Sequence, residues 1–283
     1  MANEITNTEA DKLIPELWRP KMLAGRYDEM TIGKRVLSVT GDVKAKGDIL
    51  HVPIEPTVSV NAVGSNGSVT NQALTPTEAQ LTVDQWREAT IDVVDKAQAQ
   101  SIIDLVEAFQ PAMSKAMAED ADGLLANEHS NITTNVVGAT AQPYDIVNED
   151  LLTSAVQKLL DLKVPIMNPA EITWFFDTAV WSALKKIAAF NNVNLTGEEV
   201  GGGLKMKIPD VYGIPVFFTT QIKTSTTLKN LLLHKECLAW GMQKNFRLEM
   251  LGRVRKSQPV SADWLFGLKV VRNNHGVVVN TAP

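Results

Sequence analysis

The chain has 283 residues, 45% of them hydrophobic and 21% charged, with a formal net charge of -5. That length holds one large domain or two modest ones with ample core, and the acidic balance argues against a protein whose own business is gripping nucleic-acid phosphates. The single cysteine, Cys237, excludes an intrachain disulfide and a multi-cysteine metal cluster, and its apolar neighbours Leu231, Leu232, Leu233, Leu238 and Trp240 read as core.

Residues Met1 to Asp11 are polar and acidic, and no run approaches the roughly 18 apolar residues that span a bilayer, so a soluble chain in a reducing compartment is expected. Leu13-Ile14-Pro15-Glu16-Leu17-Trp18-Arg19-Pro20 sets large apolar groups between prolines. That suits an extended peptide inserting side chains into a neighbour's groove, with packing of Trp18 on its own core as the competing reading. A short amphipathic helix is predicted over Lys21 to Met30.

Gly47-Asp48 supplies a turn, and Ile49 to Ile54 alternates with the two-residue period of a strand. From Pro56 to Thr77 the chain is mostly Val, Ser, Asn, Gly and Thr, with a loop tip at Gly64-Ser65-Asn66-Gly67-Ser68. Leu81, Val83, Ile91 and Val93 alternate around Trp86, which predicts a return strand leading to a helix at Gln98. The excursion has few large side chains of its own. A two-stranded ribbon is marginally stable alone, so this one is expected to need a neighbouring subunit, an argument for obligate assembly.

Ile102, Val106, Phe109, Met113, Met117 and Leu124 recur at the spacing of one helix face, while Asp104, Glu107, Ser114, Lys115, Glu119 and Asp122 fall mostly elsewhere. Pro111 predicts a kink, and the polar run from Asn127 to Asn135 ends the helix. Asn148 offers a cap for a helix over Leu151 to Leu162. A strand over Glu171 to Phe176 follows, then Asp177 capping a helix from Thr178 to Phe190 with Val180, Leu184, Ile187 and Ala188 inward. A Gly-rich loop, Gly197 to Lys207, precedes strands over Ile214 to Thr220, Leu228 to Leu233, Leu238 to Trp240 and Phe246 to Leu251. Leu265 to Val271 and Val277 to Val279 read as a closing hairpin-like pair. The sum is α+β with non-alternating order.

No catalytic constellation can be assembled. His51, His129, His234 and His275 sit in unrelated contexts, so neither a metal site nor a cofactor is expected. No Gly-x-Ser-x-Gly elbow occurs. Gly201-Gly202-Gly203-Leu204-Lys205-Met206 fails as a phosphate loop, because Leu204 intervenes before the lysine and no hydroxyl residue follows it. Arg253, Arg255 and Lys256 form the densest basic cluster. Read as a strand, it points Arg253 and Arg255 the same way, toward nucleic acid, a neighbour's acidic residues or solvent. A second basic excess lies between Lys12 and Lys46 and includes Lys34 and Arg35.

The order of these parts resembles the major capsid proteins of tailed bacteriophages with the Hong Kong 97-type fold, over nearly the whole chain. Leu13-Ile14-Pro15-Glu16-Leu17-Trp18 is similar to the N-terminal arm, and Lys46-Gly47-Asp48-Ile49-Leu50-His51-Val52-Pro53 to the start of the extended loop. Leu81-Thr82-Val83-Asp84-Gln85-Trp86 and Asp95-Lys96-Ala97-Gln98 resemble its return into the spine helix. Tyr212-Gly213-Ile214-Pro215-Val216 and Phe266-Gly267-Leu268-Lys269-Val270-Val271 resemble parts of the axial and peripheral domains.

The resemblance implies an N-terminal arm over 1–45, an extended β-hairpin loop over 46–96, and the spine helix with the first part of the peripheral domain over 97–145. A mainly axial domain over 146–245 and a return to the peripheral domain over 246–283 complete it. It implies a non-enzymatic shell protein forming hexamers and pentamers of an icosahedral head around double-stranded DNA, in the virion and assembled in the host cytoplasm. Expected intersubunit contacts are Pro15, Leu17, Trp18, Lys34, Arg35, Val63, Asn66, Val69, Leu74, Trp86 and Arg87. Arg253, Arg255 and Lys256 are a basic contact, and DNA is touched non-specifically if at all. Expected partners are a separate scaffolding protein, because the arm begins almost at once, with a portal and a decoration protein, and no membrane. Some family members crosslink through a lysine in the extended loop. Between Gly47 and Asp95 this sequence has none, only Arg87, so covalent crosslinking there is not expected. An encapsulin-like nanocompartment shell, which shares the fold, and a soluble hydrolase are the alternatives.

Overall fold

A computed structural model describes residues 30–43, 47–101, 104–140, 145–166, 168–187, 210–222, 227–252 and 255–282. In chain order these form β1 (Leu37–Ser38), α1 (Thr40–Val43), β2 (Ile49–Ile54), β3 (Thr77–Thr82), β4 (Gln85–Val94), α2 (Asp95–Gln100) and α3 (Leu105–Asn127). There follow β5 (Val136–Val137), α4 (Glu149–Asp161), β6 (Ile172–Asp177), α5 (Trp181–Lys186), β7 (Asp210–Val211), β8 (Ile214–Thr219) and β9 (Leu228–His234). The long strands β10 (Leu238–Met250) and β11 (Ser257–Val270), then β12 (Gly276–Thr281), complete the fold.

The strands make a four-stranded sheet in the order β1-β10-β11-β4, a six-stranded sheet in the order β5-β12-β9-β6-β8-β7, and a ribbon of β2 and β3. β6, Ile-Thr-Trp-Phe-Phe-Asp, is buried at every residue because it lies between β8 and β9 with a core on each face. Trp174 and Phe176 stack at 5.1 Å on the face covered by α4, while Phe175 points the other way. The same alternation runs through its neighbours: Leu232, Val277 and Val279 join the α4 side, and Leu231, Leu233 and Val278 join the α3 side. One sheet therefore serves two cores. The second core holds Met113, Met117, Ala121 and Leu125 of α3, and Trp240, Trp264 and Phe266 of the four-stranded sheet.

Several sequence readings need correction. The helical stretch predicted from Gln98 is interrupted at Ser101, which is extended (φ -78, ψ 139), and the long helix α3 starts at Leu105 and carries Pro111 within it. Ile102 lies outside the described residues. The fully buried leucine near the helix end is Leu125, with Leu124 half-buried beside it, because the four-residue spacing from Met113 and Met117 continues to Ala121 and Leu125. Asp122, read as facing elsewhere, is buried. Its carboxylate accepts the backbone N–H of Ile32 (3.1 Å), of Gly33 (2.9 Å) and of Thr31. Burial pushes this carboxyl above the ordinary range, and the three amides pull it back.

The runs Leu238 to Trp240 and Phe246 to Leu251 belong to one strand, β10, with register irregularities between Met242 and Arg247. The final hairpin does not form. β11 pairs with β10 and β4, while β12 crosses to the other sheet beside β9 and β5. The return strand is two strands, β3 in the ribbon and β4 in the four-stranded sheet. Asn148 caps α4 by accepting from Leu151 N–H at 2.8 Å, and Asp177 accepts from Ala179 N–H at 2.8 Å, as the sequence predicts. The segment Lys21 to Glu29, the loop Gly197 to Lys207 and Ala188 to Phe190 lie outside the described residues.

Candidate intersubunit surface

The ribbon grows from a small core of its own. Leu81 is completely buried with Val39, Val43 and Ala239, and Leu50, Val83 and Val271 pack around them. Val83 N–H donates to the Asp48 carbonyl at 2.8 Å, closing the base across the two strands. At Gly267 a Cβ would stand 2.4 Å from the Thr82 carbonyl oxygen, so only glycine lets β11 approach this closely. The expectation of a ribbon without a home core is thus corrected at its base.

The expectation's physical basis persists at the tip. Beyond Ile54 and before Thr77 no strand pairing is made, and the chain turns at Gly64–Gly67, where Gly67 N–H donates to the Gly64 carbonyl at 2.8 Å. Gln72 clasps Ser59, accepting its N–H at 3.1 Å and donating to its carbonyl. Asn66 accepts from Ser68 N–H at 3.1 Å. Val60 is 98% exposed, and Val58, Val63, Val69 and Leu74 are exposed with it. These branched side chains leave a row of apolar surface in water, and covering it would be favourable.

At the start of β4 the alternation puts Trp86 outward, 71% exposed, and Arg87 inward, where its Nε lies 3.5 Å from Asp120 on α3. Trp86 Nε1 donates to Asp263 at 3.4 Å, and Lys244 lies 5.8 Å over the Trp86 ring. Asp263 also accepts from Arg247 Nε at 2.9 Å and from Lys244. The lysine bond, then those from Arg247 and Trp86, hold the carboxyl down to about 2 against the cost of its desolvation. Sequence reading missed Lys244, Arg247 and Asp263. Lys244 and Arg247 stand in one run and Asp263 in another, and nothing local in either run reveals the β10–β11 register that joins them.

Lys34 is exposed, whereas Arg35 stacks 3.2 Å from the centroid of the Phe217 ring and donates to the Thr31 carbonyl at 2.8 Å. Arg255 sits at φ 56 in the β10–β11 turn, so the expected strand at the basic cluster is replaced by a turn; Lys256 next to it is exposed. Pro15, Leu17, Trp18 and Arg253 lie outside the described residues. Cys237 is core, and burial pushes its thiol up to about 12. The histidines are not all in unrelated places. His51 pairs with Glu78 across the ribbon at 3.0 Å, and His129 touches the Ala126 carbonyl at 2.9 Å, but His234 and His275 meet edge to face at 5.3 Å. Burial, with Arg272 and His234 nearby, pushes His275 below the ordinary range.

No protein-family description and no curated protein matches this sequence. Solved structures do. A chain of Mycobacterium phage Che8 is 21% identical, with a TM-score of 0.78 over 94% of this chain and 96% of its own. The capsid structure of the Cyanophage P-SCSP1u gives 0.75 at 13% identity, covering 98% of this chain and 95% of its own. The capsid of the native GTA particle gives 0.73 at 10% identity over the full length of both. The chain has a phage-capsid fold. The α+β, Hong Kong 97-like class implied by the resemblance is therefore borne out.

Proposed function

We propose that this chain is the major capsid protein of a tailed-phage head, self-assembling into hexamers and pentamers of an icosahedral shell around double-stranded DNA. The observation that carries the reading is a capsid fold whose loop is anchored at Leu81 and Gly267 yet presents Val58, Val60, Val63 and Val69 to solvent. Isolated, that tip has no reason to be apolar. Laid across a neighbouring copy, it buries the valines, and many moderate interfaces of this kind sum through multivalency.

The four-stranded sheet with α3 would form the peripheral domain and the six-stranded sheet with α4 the axial domain at capsomer centres. Trp86, Lys34 and the loop tip would meet the neighbour. Arg35 and Arg87 would act from beneath, since each already engages its own chain. The role is structural, with no reaction. A separate scaffolding protein and a portal are the expected partners in a host cytoplasm. Among the described residues no helix is long and apolar enough to cross a membrane.

Electron microscopy of the expressed chain, alone or with a scaffolding protein, should give closed shells or capsomer arrays. A monodisperse monomer under all such conditions would overturn the reading, and shells that package an enzyme cargo in place of DNA would favour the nanocompartment alternative.

A further inference from the structure

After the passage from β4 to β5 through α3, the chain crosses between the two sheets directly at two further places. One crossing, Lys235 to Cys237, joins β9 to β10, and the other, Val271 to His275, joins β11 to β12. They lie side by side, with Val271 N–H donating to the Cys237 carbonyl at 2.8 Å. At this junction His234 ends β9, Glu236 sits in the first crossing and His275 closes the second. Their ligand atoms all lie within 4.8 Å of one another.

His234 is 3% exposed, and its Nε2 and the Nδ1 of His275 are both buried without a hydrogen-bond partner. Glu171 brings a second carboxylate to 3.6 Å from His234 Nε2, beyond hydrogen-bond length. Two buried ring nitrogens left unpaired in a folded chain ask for a ligand, because such groups are otherwise satisfied. The Glu236 carboxylate is held outward by Arg272 at 3.3 Å.

We propose that His234, Glu236 and His275 form a site for a divalent transition-metal ion of borderline softness, with Zn²⁺ as the probe. Two imidazole nitrogens and a carboxylate oxygen suit that ion, which leaves a fourth position for water or, after a side-chain movement, for the Glu171 carboxylate 3.6 Å from His234 Nε2. Zinc would draw its ligand atoms to roughly 3.3 Å apart, given bonds near 2.0 Å in tetrahedral array. Glu236 closes that gap by leaving Arg272. His234 binds through Nε2 once its proton moves to Nδ1, giving up the long 3.3 Å contact in which Nδ1 accepts the Glu236 N–H. The bound ion would clasp both crossings and so fix one sheet against the other.

The test uses the full-length chain, stripped with chelator and dialysed against micromolar Zn²⁺, with bound metal counted by mass spectrometry and the melting temperature recorded. One ion per chain is expected, with a melting temperature that rises with Zn²⁺ and falls back on chelation, since a ligand that binds only the folded state stabilises it. His275→Gln should weaken binding by about tenfold or more, because losing an inner ligand costs at least what losing an outer-shell partner does. Arg272→Ala should tighten it by freeing Glu236, while His51→Gln on the ribbon should leave it unchanged. Glu236→Gln, a half-exposed position, repeats the comparison if His275→Gln fails to fold. No zinc above the buffer blank, or undiminished zinc in His275→Gln and Glu236→Gln, would overturn the proposal.

Discussion

At the base of the ribbon, Leu81 is sealed between Val39, Val43 and Ala239 and the Thr82 carbonyl rests on Gly267; at the tip, in the same excursion, Val60 is almost wholly in water. The side chains are of one chemical kind and differ in what covers them. Burying a leucine such as Leu81 contributes about 1.5–3 kcal/mol to the fold of the single chain. The same sort of apolar area at the tip contributes nothing until a second molecule arrives. Under the proposed capsid role, stability and assembly fall to different residues of one element, and substitution can separate them.

The largest expected effect on the fold comes from the base. Leu81→Ala should lower unfolding stability by about 2–5 kcal/mol in denaturant titration, the cost of a cavity in a packed core. A change under about 1 kcal/mol would break the contrast. Asp122→Ala leaves the amides of Thr31, Ile32 and Gly33 without their acceptor, and a loss of about 2–3 kcal/mol is expected, with faster hydrogen exchange at those amides. Gly267→Ala should cost about 1–3 kcal/mol by forcing the ribbon base off β11.

A smaller effect is expected from Asp263. Its folded pKa, about 2, lies below the ordinary value of roughly 3.9. The stability it contributes is therefore complete above about pH 4 and lost as pH falls through about 2. Asp263→Asn should flatten that part of the acid-unfolding curve, and an unchanged curve would remove the Lys244–Arg247–Trp86 cluster from the account. The smallest effect on the fold belongs to the tip. Deleting Val60 to Leu74 should leave the melting temperature of the unassembled chain within a few degrees of the parent while blocking or weakening shell formation in sedimentation. A chain that unfolds instead would show that the tip packs on itself.

The local features were legible in the sequence: the strand at Ile49 to Ile54, the tip at Gly64 to Ser68, and the caps Asn148 and Asp177 all follow from period and turn chemistry. What stayed hidden depends on long-range register. Nothing near Val277 says that β12 leaves β11 for the other sheet, and nothing near His275 places it beside His234. Asp122 misled because a helix surface pattern counts charge as exposure, whereas here three amides from a distant segment replace water. The same limit hid Asp263, whose cationic partners lie on the neighbouring strand. The interruption at Ser101 was hidden too, since no proline or glycine marks it, while Pro111 lies inside α3.

Trp86 gives the protein an optical property. Of the described tryptophans, Trp174, Trp240 and Trp264 are buried and Trp181 is partly so, while the Trp86 indole stands in water on the outer face of β4. Its emission should therefore be red-shifted and open to collisional quenchers in the free chain. A neighbour laid over that face would shift it to the blue and shield it, so the assembly reaction can be timed in a cuvette without a label.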